Sequence, residues 1–216
     1  MADDWVGWHH GYDDPASHLG RRLVVVQQRI REAVDRMPGG PIRVVSMCAG
    51  QGRDLVGALA EHPRRHDIDG RLVELDTDNV ERARAAIQAA DLPRLEVVAG
   101  DAGTTDVYIG TVPADLVLAC GVFGNITDDD IAHTVRTLPQ LCAPGATVIW
   151  TRHRLDPDVT PTIRGWFEAA GFEELHFDAP ADDFFTVGAH RLHARPRPVQ
   201  PSTRLFDFVG LRELRG

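Results

Sequence analysis

The sequence predicts an α/β fold: a single three-layer doubly wound domain with a mostly parallel seven-stranded sheet, an antiparallel last strand and an added N-terminal helix. Three observations carry this expectation. Short apolar runs alternate with amphipathic stretches of helical period, which implies a parallel sheet covered on both faces. A loop of small residues, VVSMCAGQGRD, follows the first apolar run, where open parallel sheets meet their ligands. The last two strand-like runs have no helix between them and therefore pair as an antiparallel hairpin.

The elements follow in chain order. Residues 15–37 read as a helix, with Asp14 as N-cap, Pro15 at the first helical position and one apolar stripe from Leu19 through Val26, Ile30 and Val34 to Met37. Pro38-Gly39-Gly40-Pro41 ends it. Strands are expected at Ile42–Met47, Arg71–Leu75, Leu95–Ala99, Asp115–Ala119, Ala146–Thr151, Phe172–Phe177 and Phe184–His193. Helices are expected at Asp54–Glu61, Asp78–Ala90, Asp128–Leu138 and Pro161–Ala170. Residues 1–14 read as an N-terminal lid, 15–195 as the domain proper and 196–216 as a Pro/Arg-rich tail whose apolar residues Leu205, Phe206, Phe208 and Val209 dock at a place the sequence does not name.

Composition excludes several classes. The chain has 216 residues, enough for one domain, and carries a net charge of −9. That balance argues against a duplex nucleic acid partner, which needs cations to displace counterions. No apolar run is long enough to cross a bilayer, and the N-terminus does not resemble a signal peptide. Cys48, Cys120 and Cys142 lie in apolar contexts without metal-ligand spacing, which points to reduced thiols, a cytoplasmic protein and no metal. The chain contains no lysine, so Walker A and Schiff-base chemistry are both excluded.

The small-residue loop is either a bare turn or a ligand cradle. Gly50-Gln51-Gly52-Arg53-Asp54-Leu55 lacks the third glycine of a dinucleotide fingerprint, and Asp54 would compete with a phosphate for the donors of a helix N-terminus. A ligand with a positive centre tolerates Asp54 better. Further on, Asp76 lies about 20 residues past the loop, where a carboxylate accepts hydrogen bonds from ribose hydroxyls. Its alternative is a helix cap, but Asp78 reads as the better cap and leaves Asp76 for the ligand.

With these motifs in order, the chain resembles the class I S-adenosylmethionine-dependent methyltransferases. VVSMCAGQGRD, RLVELDTDNVERAR, LEVVAGDAG and ADLVLACGVFGNI resemble that family's first four motifs across residues 15–195. Ser46 and Cys48 stand where the family usually has an acid and a glycine. The resemblance implies S-adenosylmethionine as cofactor, with Gly50 and Gly52 on its methionyl part, Asp76 on the ribose, Asp101 and Ala102 on the adenine, and Cys120 and Gly121 as the floor. Tyr12, Cys48, Ala49 and Thr77 are expected beside them, and Asp54 as partner of the amino group.

Methyl transfer is an in-line displacement, so positioning supplies much of the acceleration. A base is needed only when the acceptor must lose a proton. His153, between Arg152 and Arg154, is one candidate: the flanking guanidiniums favour its neutral form, unless it is merely a solvated turn. His10 is the other, in the cluster Trp5-Val6-Gly7-Trp8-His9-His10-Gly11-Tyr12, which reads as a cofactor lid or as an apolar anchor. Phe184 and Phe185 stand either on an acceptor pocket or in the core. The absence of an Asp/Asn-Pro-Pro-aromatic motif at Asn125 argues against nucleobase or amide nitrogen acceptors. The expected function is methyl transfer to oxygen or nitrogen of a small-molecule acceptor. The alternatives are an RNA or protein methyltransferase using the arginines of 191–204, or a non-catalytic adenosylmethionine-binding protein; a homodimer is compatible with either.

Overall fold

The computed structural model describes residues 9–209. The tryptophans at positions 5 and 8, and with them most of the expected lid, lie outside the described residues, as does the side chain of His10.

Seven strands form one sheet in the order β3-β2-β1-β4-β5-β7-β6: β1 Ile42–Ser46, β2 Ile68–Glu74, β3 Leu95–Ala99, β4 Ala114–Ala119, β5 Cys142–His153, β6 Phe172–Asp178 and β7 Phe185–Leu192. The pairs β1–β2, β2–β3, β1–β4 and β4–β5 are parallel. The closing strand β7 runs antiparallel to both β5 and β6 and inserts between them, so the edge is β6. The strand order reverses between β1 and β4, which opens a crevice at their carboxyl ends.

Alternation along the strands divides the core into two layers. In β4, Leu116 and Leu118 face one layer, while Val117 and Ala119 face the other. The first layer is covered by α1 (His18–Arg36), α2 (Arg53–Leu59) and α3 (Thr77–Ala89); the second by α4 (Asp128–Thr137) and α5 (Thr160–Ala169). The connection from β3 to β4 carries only a one-turn 3₁₀ helix, Thr105–Tyr108. The C-terminal segment covers the sheet there: Leu205 and Phe206 are buried in the second layer, and the N–H of Leu205 donates to the carbonyl of Gly103.

Two expected boundaries move for a clear physical reason. Helix α1 starts three residues later than expected, at His18, because Ser17 is its N-cap and its hydroxyl accepts from the Gly20 N–H. Asp14 instead closes the turn before the helix, through its side chain on Ala16 and its carbonyl on Ser17. Asp78 does not cap α3. That helix starts at Thr77, and its N-cap is Asp76, whose Oδ1 accepts from the Asn79 N–H at 2.9 Å.

The second layer centres on Trp150 of β5. Its indole stacks on Phe167 at 5.7 Å, and its N–H donates to His190 Nδ1 at 3.2 Å. Gly188, its cross-strand partner in β7, leaves the indole room: a Cβ there would lie 2.3 Å from the ring. Gly188→Ala is therefore expected to cost about 1–3 kcal/mol or more by overpacking. Chemical denaturation reads this as a lower midpoint, and an unchanged midpoint would mean that the indole is not fixed against β7.

Candidate active site

The β1–α2 loop turns through left-handed backbone at Cys48 (φ 47°), Gly50 (φ 54°) and Gly52 (φ 72°). At Gly52 any side chain would be strained, and a Cβ would also press on Leu72 at 3.1 Å. At Cys48, where the family pattern has glycine, the chain tolerates that strain with a small side chain. The loop is pinned to the sheet on both sides. The N–H of Met47 donates to Leu118 of β4, and that of Ala49 to Val73 of β2, each at 2.9 Å.

Glu74, the last residue of β2, completes the anchoring. Its Oε2 accepts from the Gly50 N–H at 2.7 Å, and its Oε1 accepts from the N–H groups of Leu75 and Asp76 at 3.0 and 2.9 Å. Burial raises its pKa, and the three backbone donors work against that shift. Leu75 then projects outward, 74% exposed.

These elements surround a cavity of about 400 Å³, within the usual range for small-molecule sites. Of the expected cofactor residues, Tyr12, Cys48, Ala49, Asp54, Asp76, Asp101, Ala102, Cys120 and Gly121 all line it. Gly50 and Gly52 shape the loop, and Thr77 begins α3 behind Asp76. The structure adds residues that sequence reasoning missed: Glu74, Leu75, Asn79 and, from the tail, Phe206 and Phe208. A larger depression, about 470 Å³, runs along α3 and the amino end of the edge strand β3, away from the carboxyl ends of the strands and from every expected site residue.

The cavity is strongly acidic. Asp54, Glu74, Asp76 and Asp101 line it against the single arginine Arg53. Arg53 is itself engaged by Asp13 at 2.7 Å and Gln51 at 3.1 Å. Asp54 has its pKa raised by burial, with Arg22 and Cys120 opposing. At Asp101 burial is outweighed by Arg204 and the Gly103 N–H, and its pKa is lowered. Tyr12 is held over the cavity by a hydrogen bond from Arg22, and burial raises its pKa.

The tail forms a strap along the Asp101 side. Arg204 bridges Asp101 and Asp207, the Thr105 N–H donates to Thr203, and the Val209 N–H donates to the Asn125 carbonyl at 2.9 Å. Apart from the local Arg204–Asp207 pair, no local pattern in the sequence could have revealed these pairings, because their partners lie far away along the chain.

His153 does not join the first cavity. It ends β5 and lines a second one, about 340 Å³, together with His18, Arg22, Arg152, Phe184 and Phe185. Gly121 and Asn125 line both cavities, so the two are neighbours. Phe184 is half-exposed in this cavity and meets the His18 ring at a tilt, with centroids 4.6 Å apart, whereas Phe185 is buried.

The comparisons with known proteins agree with this architecture. A family model described as "Putative methyltransferase" matches residues 8–165, and the chain belongs to that methyltransferase family. Among solved structures, it is similar to magnesium protoporphyrin IX methyltransferase of Synechocystis with bound SAM (11% identity, 88% of this chain and 92% of that one, TM-score 0.68). It is also similar to 1,6-didemethyltoxoflavin-N1-methyltransferase of Burkholderia thailandensis (17% identity, 88% and 86%, TM-score 0.65). A third is an O-methyltransferase family protein of Burkholderia thailandensis (19% identity, 81% of this chain, TM-score 0.63), of whose length this chain spans 57%. These likenesses establish the class I methyltransferase fold. A search of curated proteins found no match. Among the described residues, no helix is long and apolar enough to cross a membrane.

Proposed function

We propose that this methyltransferase uses S-adenosylmethionine to methylate oxygen or nitrogen of a small-molecule acceptor. The observation that carries the reading is the charge of the first cavity: among the described residues four carboxylates line it, Asp101 paired with Arg204 and Asp54 under the influence of Arg22, while the one lining arginine, Arg53, is paired with Asp13. Such a lining repels a diphosphate and favours a ligand with positive charge at one end. S-adenosylmethionine fits this test, with a sulfonium and an amino group beyond an adenosine.

Bound there, the cofactor supplies a methyl group whose bond to sulfur breaks as the bond to the acceptor forms, leaving S-adenosylhomocysteine. The chain's residues bind and orient. Glu74, with Oε2 accepting only one backbone bond, takes the ribose hydroxyls, and Asp76 keeps its capping role. Leu75 and Phe208 flank the adenine, with Asp101 and Ala102 at its edge. Asp54 faces the amino group from beside Cys120 and Gly121. His153 receives the acceptor's proton in the second cavity when that acceptor is a hydroxyl or an ammonium. The segment around Tyr12, clamped by Arg22 and Arg53, acts as the hinge of an N-terminal lid.

The RNA alternative loses support from the arginines it would use. Arg191 pairs with Glu173, Arg204 with Asp101 and Asp207, and Arg197 donates to the Arg136 carbonyl.

Two outcomes test the assignments. Glu74→Gln is expected to weaken adenosylmethionine binding at least tenfold, about 1.4 kcal/mol, whereas Asp76→Ser, which preserves the cap, changes it less than about threefold. The reverse ranking in calorimetry would return the ribose to Asp76. His153→Gln should lower kcat while leaving cofactor affinity intact; unchanged turnover of a hydroxyl acceptor would remove it as the base.

A further inference from the structure

The two neighbouring cavities have opposite polarity. The second is lined by Arg22, Arg152, His18 and His153, and among the described residues no carboxylate lines it. Arg152 is the informative one. Its side chain is 9% exposed, one terminal nitrogen donates to the Phe123 carbonyl, and the nearest acid, Asp128, is 3.9 Å away. Its Nε is buried with no hydrogen-bond partner among the described residues. A buried guanidinium with an unused donor is costly unless a counter-charge meets it. Burial accordingly lowers its pKa, against the pull of Asp128 and Asp158.

Of the other described acids nearby, Asp183 pairs with Arg21 at 2.7 Å, Asp158 accepts from the N–H and hydroxyl of Thr160, and Asp54 lines the first cavity, where its charge acts on Arg22. Asn125, 7% exposed at the junction of the two cavities, donates from Nδ2 to Gly121 and keeps its Oδ1 without a partner among the described residues. Leu19, Leu155 and the half-exposed Phe184 give the second cavity an apolar wall, beside Thr151, whose hydroxyl accepts from the Gly121 N–H.

We propose that the second cavity binds the methyl acceptor and that this acceptor is a small aromatic carboxylic acid. Its carboxylate is met by Arg152 and Arg22, and its ring lies against Phe184 and Leu155. Guanidinium groups match a carboxylate through paired N–H donors. The inference deepens the functional reading above and rests on it.

The test is calorimetry on the whole chain, first with adenosylhomocysteine alone and then, on that complex, with benzoate and 2-naphthoate against benzamide, 2-naphthamide and phenyl phosphate. Each carboxylate is expected to bind at least tenfold more tightly than its amide. That ratio should fall below twofold in Arg152→Gln or, should that variant not fold, in Arg22→Gln. Equal binding of acid and amide, or tighter binding of phenyl phosphate, would overturn the proposal while leaving the cofactor reading intact. Absence of adenosylhomocysteine binding would overturn the cofactor reading, and the acceptor proposal with it.

Discussion

The carboxylate of Glu74 is the constraint on which the site depends. Placed at the end of β2, it gathers three backbone N–H groups: one from the β1–α2 loop and two from the start of its own turn. The Gly50 and Asp76 donors are part-buried at the carboxyl end of the sheet, where a hydrogen bond to a charged acceptor contributes more than one between neutral groups. The same contact sets the distance between the left-handed loop and the second strand, and that gap becomes the cavity. Binding geometry therefore follows from satisfying the backbone, with the ligand-facing groups arranged as a consequence.

A second consequence concerns the face of the sheet between β3 and β4. A one-turn helix at Thr105–Tyr108 cannot cover it, and the chain sends back its C-terminal segment to do so. Leu205 and Phe206 bury there, and Thr134 of α4 donates its hydroxyl to the Leu205 carbonyl at 2.9 Å. A structural repair thereby brings Arg204 to Asp101 and Phe208 to the cavity wall. Core coverage and ligand recognition share one short stretch, with Phe206 in both, so changes to the strap should be read on both.

Much of this was legible in the sequence because its signals are local. Alternating apolar runs marked all seven strands, and the spacing of Gly50 and Gly52 marked the turn that must approach a ligand. The register at the end of β2 was not legible. Glu74 and Asp76 are both carboxylates flanking Leu75, and an apolar residue reads as a continuing strand although this one points to solvent. Only the hydrogen bonds distinguish the residue that caps α3 from the one that anchors the loop. The tail was silent for a different reason: its contacts with Gly103, Asn125 and Thr134 are non-local and leave no periodicity. The polarity of the second cavity likewise arises from α1, β5 and the loop after β4 converging, which no single motif records.

The central claim is that an acidic crevice at the strand-order reversal selects an adenosine bearing a cationic thioether over one bearing a diphosphate. Parallel titrations of the same protein with S-adenosylmethionine, ATP and NAD at moderate ionic strength test it most directly. Saturable heat is expected with S-adenosylmethionine and none with the two phosphorylated ligands. Saturable heat with ATP or NAD, and none with S-adenosylmethionine, would contradict it.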